Sequence, residues 1–76
     1  MVHAYVAIIT GTGSSPDVVE EVRATAGVTE AHVVAGAYDV IAEIEVDDVA
    51  SILEVVSSTL QHIEGVGTTR TYVTLD

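Results

Sequence analysis

Hydrophobic and polar residues alternate along this chain with two periods, and the switches between them mark out the elements. His3 to Thr10 reads as a strand, with Ala4, Val6 and Ile8 on one face and Tyr5, Ala7 and Ile9 on the other. Both faces are apolar, which predicts a strand buried on both sides. Gly11-Thr12-Gly13-Ser14-Ser15 then forms a loop. Ser15 suits a helix cap and Pro16 the first turn, while Asp17, Glu20 and Glu21 sit near the positive end of the helix dipole. Val18, Val19, Val22 and Ala26 give a narrow apolar stripe, and Gly27 closes the helix. Val28 to Ala35 is the second strand, Gly36-Ala37 a tight connection, and Tyr38 to Val46 the third strand. In that strand Tyr38, Val40, Ala42, Ile44 and Val46 face one way and Asp39, Ile41, Glu43 and Glu45 the other, so the pair reads as a hairpin. Asp47 is expected to cap a second helix whose apolar set is Val49, Ile52, Leu53, Val56, Leu60 and Ile63. Gly65 ends it, and Val66 to Leu75, rich in β-branched residues, is the last strand.

The order is βαβ–βαβ, and each helix is followed by a Gly-Val pair, Gly27-Val28 and Gly65-Val66, that opens the next strand. This predicts an α+β class, ferredoxin-like βαββαβ domain over residues 1–76. Right-handed crossovers place both helices on one face of a four-stranded antiparallel sheet. The other face is then apolar along its first strand and uncovered. A second copy packing sheet to sheet would cover it, giving a dimeric α/β-barrel-type sandwich.

Composition sharpens that expectation. A chain of 76 residues buries only about 60% of its unfolded surface and is marginal alone. Small domains add a disulfide, a metal or a partner. Cysteine is absent, and His3, His32 and His62 lie too far apart for a helical zinc motif, so neither metal nor cofactor is expected and oligomerisation remains. No apolar run approaches the ~18–20 residues of a membrane span, and the start lacks the basic region and cleavage site of a signal peptide. A soluble cytoplasmic protein is expected. The net charge is −10, with Arg23 and Arg70 as the only Lys or Arg residues. Phosphate contacts need Lys and Arg, so direct nucleic-acid binding is not expected. A lysine-free, acid-rich surface suits a salt-filled cytoplasm, where screening shortens to about 3 Å at 1 M. A halophilic origin is the expectation, against an ordinary acidic bacterial domain.

Candidate chemistry competes with plainer roles at each position. The Gly11–Ser15 loop before a helix has the physics of an anion site, but no Walker lysine follows and GxGxxG is incomplete, which favours a simple turn. His3, His32 and His62 read as packed or surface histidines. Asp39, Glu43 and Glu45 share a strand face and could form a catalytic pair or a cation site, although a solvated face is commoner in so acidic a chain. Ser51, Ser57 and Ser58 have no base relay near them in sequence. Gly36-Ala37-Tyr38-Asp39 is the most informative segment. It reads equally as a hairpin turn, with a positive-φ glycine and an Asp accepting backbone hydrogen bonds, or as a loop offering backbone groups, a phenol and a carboxylate to a ligand.

The segment Ala31-His32-Val33-Val34-Ala35-Gly36-Ala37-Tyr38-Asp39-Val40 resembles the G-x-Y-D stretch of the ligand-binding domain of Lrp/AsnC regulators, also called the RAM domain. Gly65 to Leu75 resembles that domain's closing strand, and Ala4-Tyr5-Val6 its first. The resemblance runs from His3 to Leu75 and implies no catalytic residue. It implies a sheet-paired homodimer that associates into tetramers, octamers or larger even-numbered assemblies, with an amino-acid effector at the seam between dimers. The implied ligand-binding residues are Gly36, Ala37, Tyr38, Asp39, Thr69 and Thr71. Full regulators carry an N-terminal helix-turn-helix. Here Met1 leads straight into the first strand, which favours a solitary member over an excised domain, of the kind commonest in archaea, acting in transcriptional or metabolic regulation through full-length Lrp/AsnC regulators. The family loop after the first strand is shorter, with a single glycine, so Gly11–Ser15 is a departure that bears on contacts between dimers. Three other functions compete. An ACT-like regulatory domain would bind its ligand at Gly11–Ser15, and a ligand-free assembly scaffold would keep the loop for packing. A ferredoxin-like monooxygenase or isomerase needs a sheet-side pocket of His, Asn, Trp or Tyr, and is disfavoured here because Trp and Phe are absent.

Overall fold

A computed structural model describes all residues, 1–76. The elements are β1 (Val2–Thr10), α1 (Ser15–Arg23), β2 (Val28–Val33), β3 (Val40–Val46), α2 (Val49–Ser58), a 3₁₀ turn (Leu60–His62) and β4 (Val66–Val73). The sheet order is β2-β3-β1-β4, and every neighbouring pair is antiparallel. This is the expected ferredoxin-like α+β fold. No helix is long and apolar enough to cross a membrane.

The period-2 pattern of β1 sorts its side chains as read. Ala4, Val6 and Ile8 are fully buried and pair with Ile44, Ala42 and Val40 of β3, also fully buried. Val18, Val19 and Val22 of α1, Ile52 and Val56 of α2, and Leu60 close over them to form the core. Along β1's other face Tyr5 is 42% and Ile9 39% exposed, while small Ala7 is shielded by its neighbours. β1 is therefore buried on one side only within a single chain, which corrects the expectation of burial on both.

Several boundaries shift. β3 begins at Val40, β2 ends at Val33 and β4 at Val73, so the β2–β3 connection is six residues (34–39) and not a tight Gly36-Ala37 turn. Positive φ occurs at Gly13, Gly27 and Gly65 and not at Gly36. The backbone of the longer connection turns without it, tied at its end by Val34 N–H to the Asp39 carbonyl (2.9 Å) and Asp39 N–H to the Ile8 carbonyl (2.9 Å). Ser14, not Ser15, is the N-cap of α1, and its side chain makes no capping bond. In α2, Val55 packs against the core whereas Leu53 is 59% exposed. Val55 lies against Gly27, where a Cβ would come 3.4 Å from it.

Asp48, not Asp47, caps α2. Its backbone is extended and its Oδ1 accepts the Ser51 N–H at 2.8 Å. Hydrogen bonds from Ser51, first through the hydroxyl and then the N–H, hold its carboxyl below the usual aspartate range. A group with a lowered folded pKa stabilises the fold above its unfolded value and loses that contribution as pH falls through the folded one. Asp48→Ala should therefore lower the melting temperature by a few degrees at neutral pH, and the gap from the parent should close as pH drops below about 4. A pH series of melting curves checks both the drop and its convergence.

Candidate functional site

The end of β1 and the starts of β3 and β4 lie at one end of the sheet, because Ile8 pairs with both Val40 and Thr69, and Thr10 with Val66. Here the register of β1 against β4 shifts between Ile8 and Thr10. Gly67 makes the close approach possible, since a Cβ on it would lie 3.1 Å from the Ile9 carbonyl oxygen. On the other side of β1, the Asp39 carboxylate continues the ladder past its last backbone pair. Its Oδ2 accepts the Thr10 N–H at 2.8 Å. Thr10 and Ser15 hydroxyls share a 2.8 Å hydrogen bond, and Gly11 N–H donates to the Gly65 carbonyl at 2.9 Å. Asp39, Thr10 and Ser15 thus link the start of β3 to the start of α1.

The six residues singled out in the sequence are placed unevenly. Gly36 and Ala37 form an exposed tip, and nothing lies within 4 Å of a Cβ built on Gly36. Tyr38 and Asp39 are half-buried. Asp39 Oδ1 has no hydrogen-bond partner within the chain, so one carboxylate oxygen holds the loop while the other stays free. Thr69 and Thr71 are half-buried across β1 from β3, and the Thr69 hydroxyl accepts from Gln61 Nε2 at 3.0 Å. Within one chain, then, Tyr38 and Asp39 come together at the loop while the two threonines lie beyond β1. Val33 (50% exposed) and Val34 (37%) lead into the loop and give it an apolar flank.

The remaining candidates resolve differently. In the Gly11–Ser15 loop the Gly11 and Ser14 N–H groups are committed to backbone carbonyls, Ser14's to Gly11 at 3.0 Å, as a simple turn requires. The carboxylate row on β3 is divided among partners: Asp39 holds Thr10, Glu43 accepts from His3 Nε2 at 3.0 Å, and Glu45 is exposed. No group of three or more His, Cys, Asp or Glu side chains is arranged to hold a metal ion. Glu30 and Glu43 are cross-strand partners, and His32 lies 3.1 Å from Glu30. The His32 hydrogen bond holds the Glu30 carboxyl below its ordinary range. Two surface grooves, of about 610 and 680 Å³, lie on the helix side and are lined by none of the six residues.

Sequence reasoning missed the Thr10–Asp39 bond, because it depends on which strand edge lies beside Thr10. It also missed the His3–Glu43 contact, which only the β1–β3 register brings about.

Sheet order, a helix-covered face and a structured loop before β3 define a ferredoxin-like module with an accessible loop. Residues 3–76 match the model of the Lrp/AsnC ligand binding domain. The chain belongs to that family of ligand-binding domains. It is 35% identical over 72 residues to the leucine-responsive regulatory protein of Haemophilus influenzae, spanning 90% of this chain and 43% of that protein. A solved protein from Thermus thermophilus superposes with a TM-score of 0.95 at 28% identity, covering 100% of this chain and 95% of that one. A transcriptional regulator from Neisseria meningitidis, solved in complex with L-Met, superposes with a TM-score of 0.86 at 17% identity, covering 99% and 50% respectively. The chain thus spans less than half the length of the curated relative it matches.

Proposed function

We propose that this domain senses an amino acid at the loop Gly36–Asp39, working as a sheet-paired homodimer that joins other dimers through that end of the sheet. The observation that carries the reading is Asp39: one carboxylate oxygen is anchored by Thr10 N–H and the other is free beside an exposed tip. An anchored carboxylate is already oriented, so it binds an ammonium group with little further ordering. The amino-acid carboxylate needs donors, and arginine is scarce. The N–H groups around Gly36 and Ala37, and the Thr69 and Thr71 hydroxyls of an adjoining copy, are the suppliers in this reading. Exposed Val33 and Val34 give the loop an apolar flank for that neighbour. The L-Met bound by the Neisseria relative supports the ligand class, and full-length Lrp/AsnC regulators are the natural partners.

Asp39→Asn keeps an acceptor for Thr10 and removes the charge. A charge-assisted hydrogen bond is worth roughly 1.5–3 kcal/mol, so affinity should fall by about tenfold or more while the fold is retained. Calorimetry with the amino acid that most raises the melting temperature measures this. Undiminished binding by Asp39→Asn would move the site away from this loop, and toward Gly11–Ser15 as an ACT-like arrangement requires.

The acidic surface carries the halophilic part of the reading. Net charge −10 on 76 residues is self-repulsive, and salt screens it. Melting temperature should climb from low to molar potassium chloride; a flat or falling series contradicts a high-salt origin.

A further inference from the structure

We propose that the open face of the sheet is self-complementary in charge, so that a second copy docks about a two-fold axis parallel to the strands and Arg70 of each copy meets the partner's Glu30. This rests on the sheet pairing proposed above and specifies its geometry.

The starting observation is an unpaired cation. The chain has two Lys or Arg residues against 12 acidic ones. Arg23 is engaged, its Nε donating to the Ala31 carbonyl at 2.9 Å and its guanidinium lying 3.3 Å from Glu20. Arg70 makes no side-chain hydrogen bond or ion pair within the chain and is exposed. It stands on edge strand β4, paired with Ala7, whose side chain lies on the open face.

The registers give two rows across that face. One runs His32, Ile41, Ala7, Arg70; the other runs Glu30, Glu43, Tyr5, Tyr72. Carboxylates therefore collect toward β2 and β3, and the one arginine lies at the β4 edge. Glu30 and Glu43 sit side by side as cross-strand partners.

Face-to-face pairing of identical sheets has two simple two-fold solutions. An axis running across the strands lays β4 on β4 and β2 on β2, stacking Arg70 toward Arg70 and Glu30 toward Glu30. Like charges opposed in a desolvated interface are strongly disfavoured. An axis running along the strands lays β4 over β2. Arg70 then lies over the partner's His32, one residue pair, about 7 Å, along the strand from the partner's Glu30, within reach of its long side chain. The same operation sets Ala7 over the partner's Ile41, a small residue against a large one, as close sheet packing requires. It also sets Tyr5 over the partner's Glu43, where the phenol can donate to the carboxylate. The charge pattern thus selects one axis.

Sedimentation equilibrium on the 76-residue chain tests this, with R70E, E30R, the R70E/E30R double variant and an equimolar mixture of the two single variants. Each contact occurs twice, so each single variant should weaken self-association by about tenfold or more. The double variant should regain dimerisation. The mixture should form heterodimers. In them the glutamate introduced at position 70 of one copy meets the arginine introduced at position 30 of the other, and the second contact keeps its native Arg70 and Glu30. A dimeric parent whose association is unchanged by R70E overturns this geometry and leaves sheet pairing standing. So does loss in R70E that neither the double variant nor the mixture restores. A parent monomeric at micromolar concentration overturns sheet pairing itself.

Discussion

Gly65→Val should be among the most destabilising single substitutions in the chain, costing about 2–5 kcal/mol. Two penalties combine. Gly65 has φ of +97°, a conformation that costs an L-residue roughly 1–2 kcal/mol and a β-branched one at the upper end. A Cβ there would also lie 3.0 Å from both Ser14 Cβ and Val18 Cγ2, and overpacking of this kind costs typically about 1–3 kcal/mol. Val18 is fully buried and Ser14 is the cap of α1, so neither can yield freely. The Gly65 carbonyl also accepts from Gly11 N–H, so strain at this turn spreads to the end of β1. Gly36→Val is the internal control. Gly36 lacks a positive φ and has nothing within 4 Å of a Cβ, so valine there should leave the melting temperature nearly unchanged. Urea melts of the two variants give the comparison: equal losses, or a larger loss at Gly36, would be inconsistent with this backbone.

Ile41→Asp should abolish dimerisation while leaving the chain folded. Ile41 is half-buried on the open face, between His32 and Ala7 in its row. In a single chain an aspartate there faces water and lies beside exposed His32, so the core of Ala4, Val6 and Ile8 is untouched. In a sheet-paired dimer the new carboxylate is buried twice, once per copy. The effective penalty is several kcal/mol per buried ion, so dissociation should rise by on the order of a hundredfold or more. Light scattering with circular dichroism distinguishes the outcomes. A folded dimer persisting in Ile41→Asp would remove the open face from the interface.

The strands and helices were legible in the sequence because their signal is periodic. Ala4, Val6, Ile8 against Tyr5, Ala7, Ile9 defines two faces whatever surrounds them, and the structure keeps that division. What the pattern lacked was the cover. An apolar second face looks buried in the sequence although a single chain leaves Tyr5 and Tyr72 at 42% and 57% exposure. Caps were harder. Asp47 and Asp48 are chemically the same, and the choice depends on which backbone is extended, as Asp48's is. Ser14 and Ser15 pose the same ambiguity. In α2 a 3.6-residue period admits Leu53 or Val55 beside Ile52 and Val56, and only the docking of the helix on the sheet decides it, with Val55 against the core. At the candidate site, Gly36 to Asp39 stood out as one segment. That Asp39 accepts a backbone hydrogen bond was one of the readings of this segment; its donor was out of reach, because Thr10 is 29 positions away and is delivered by the sheet.

Amino-acid binding by this domain is tested most directly by a thermal-shift screen of the parent chain against the twenty amino acids in molar potassium chloride. A ligand that binds only the folded state adds about 2.7 kcal/mol at a hundredfold excess over its dissociation constant, which for a domain of this size is a shift of roughly 10 °C or more. The expected result is a clear rise with one amino acid or a small group of related ones, and no response to the rest. A melting temperature that stays flat with all twenty at millimolar concentration would contradict amino-acid sensing and leave a domain that serves assembly alone.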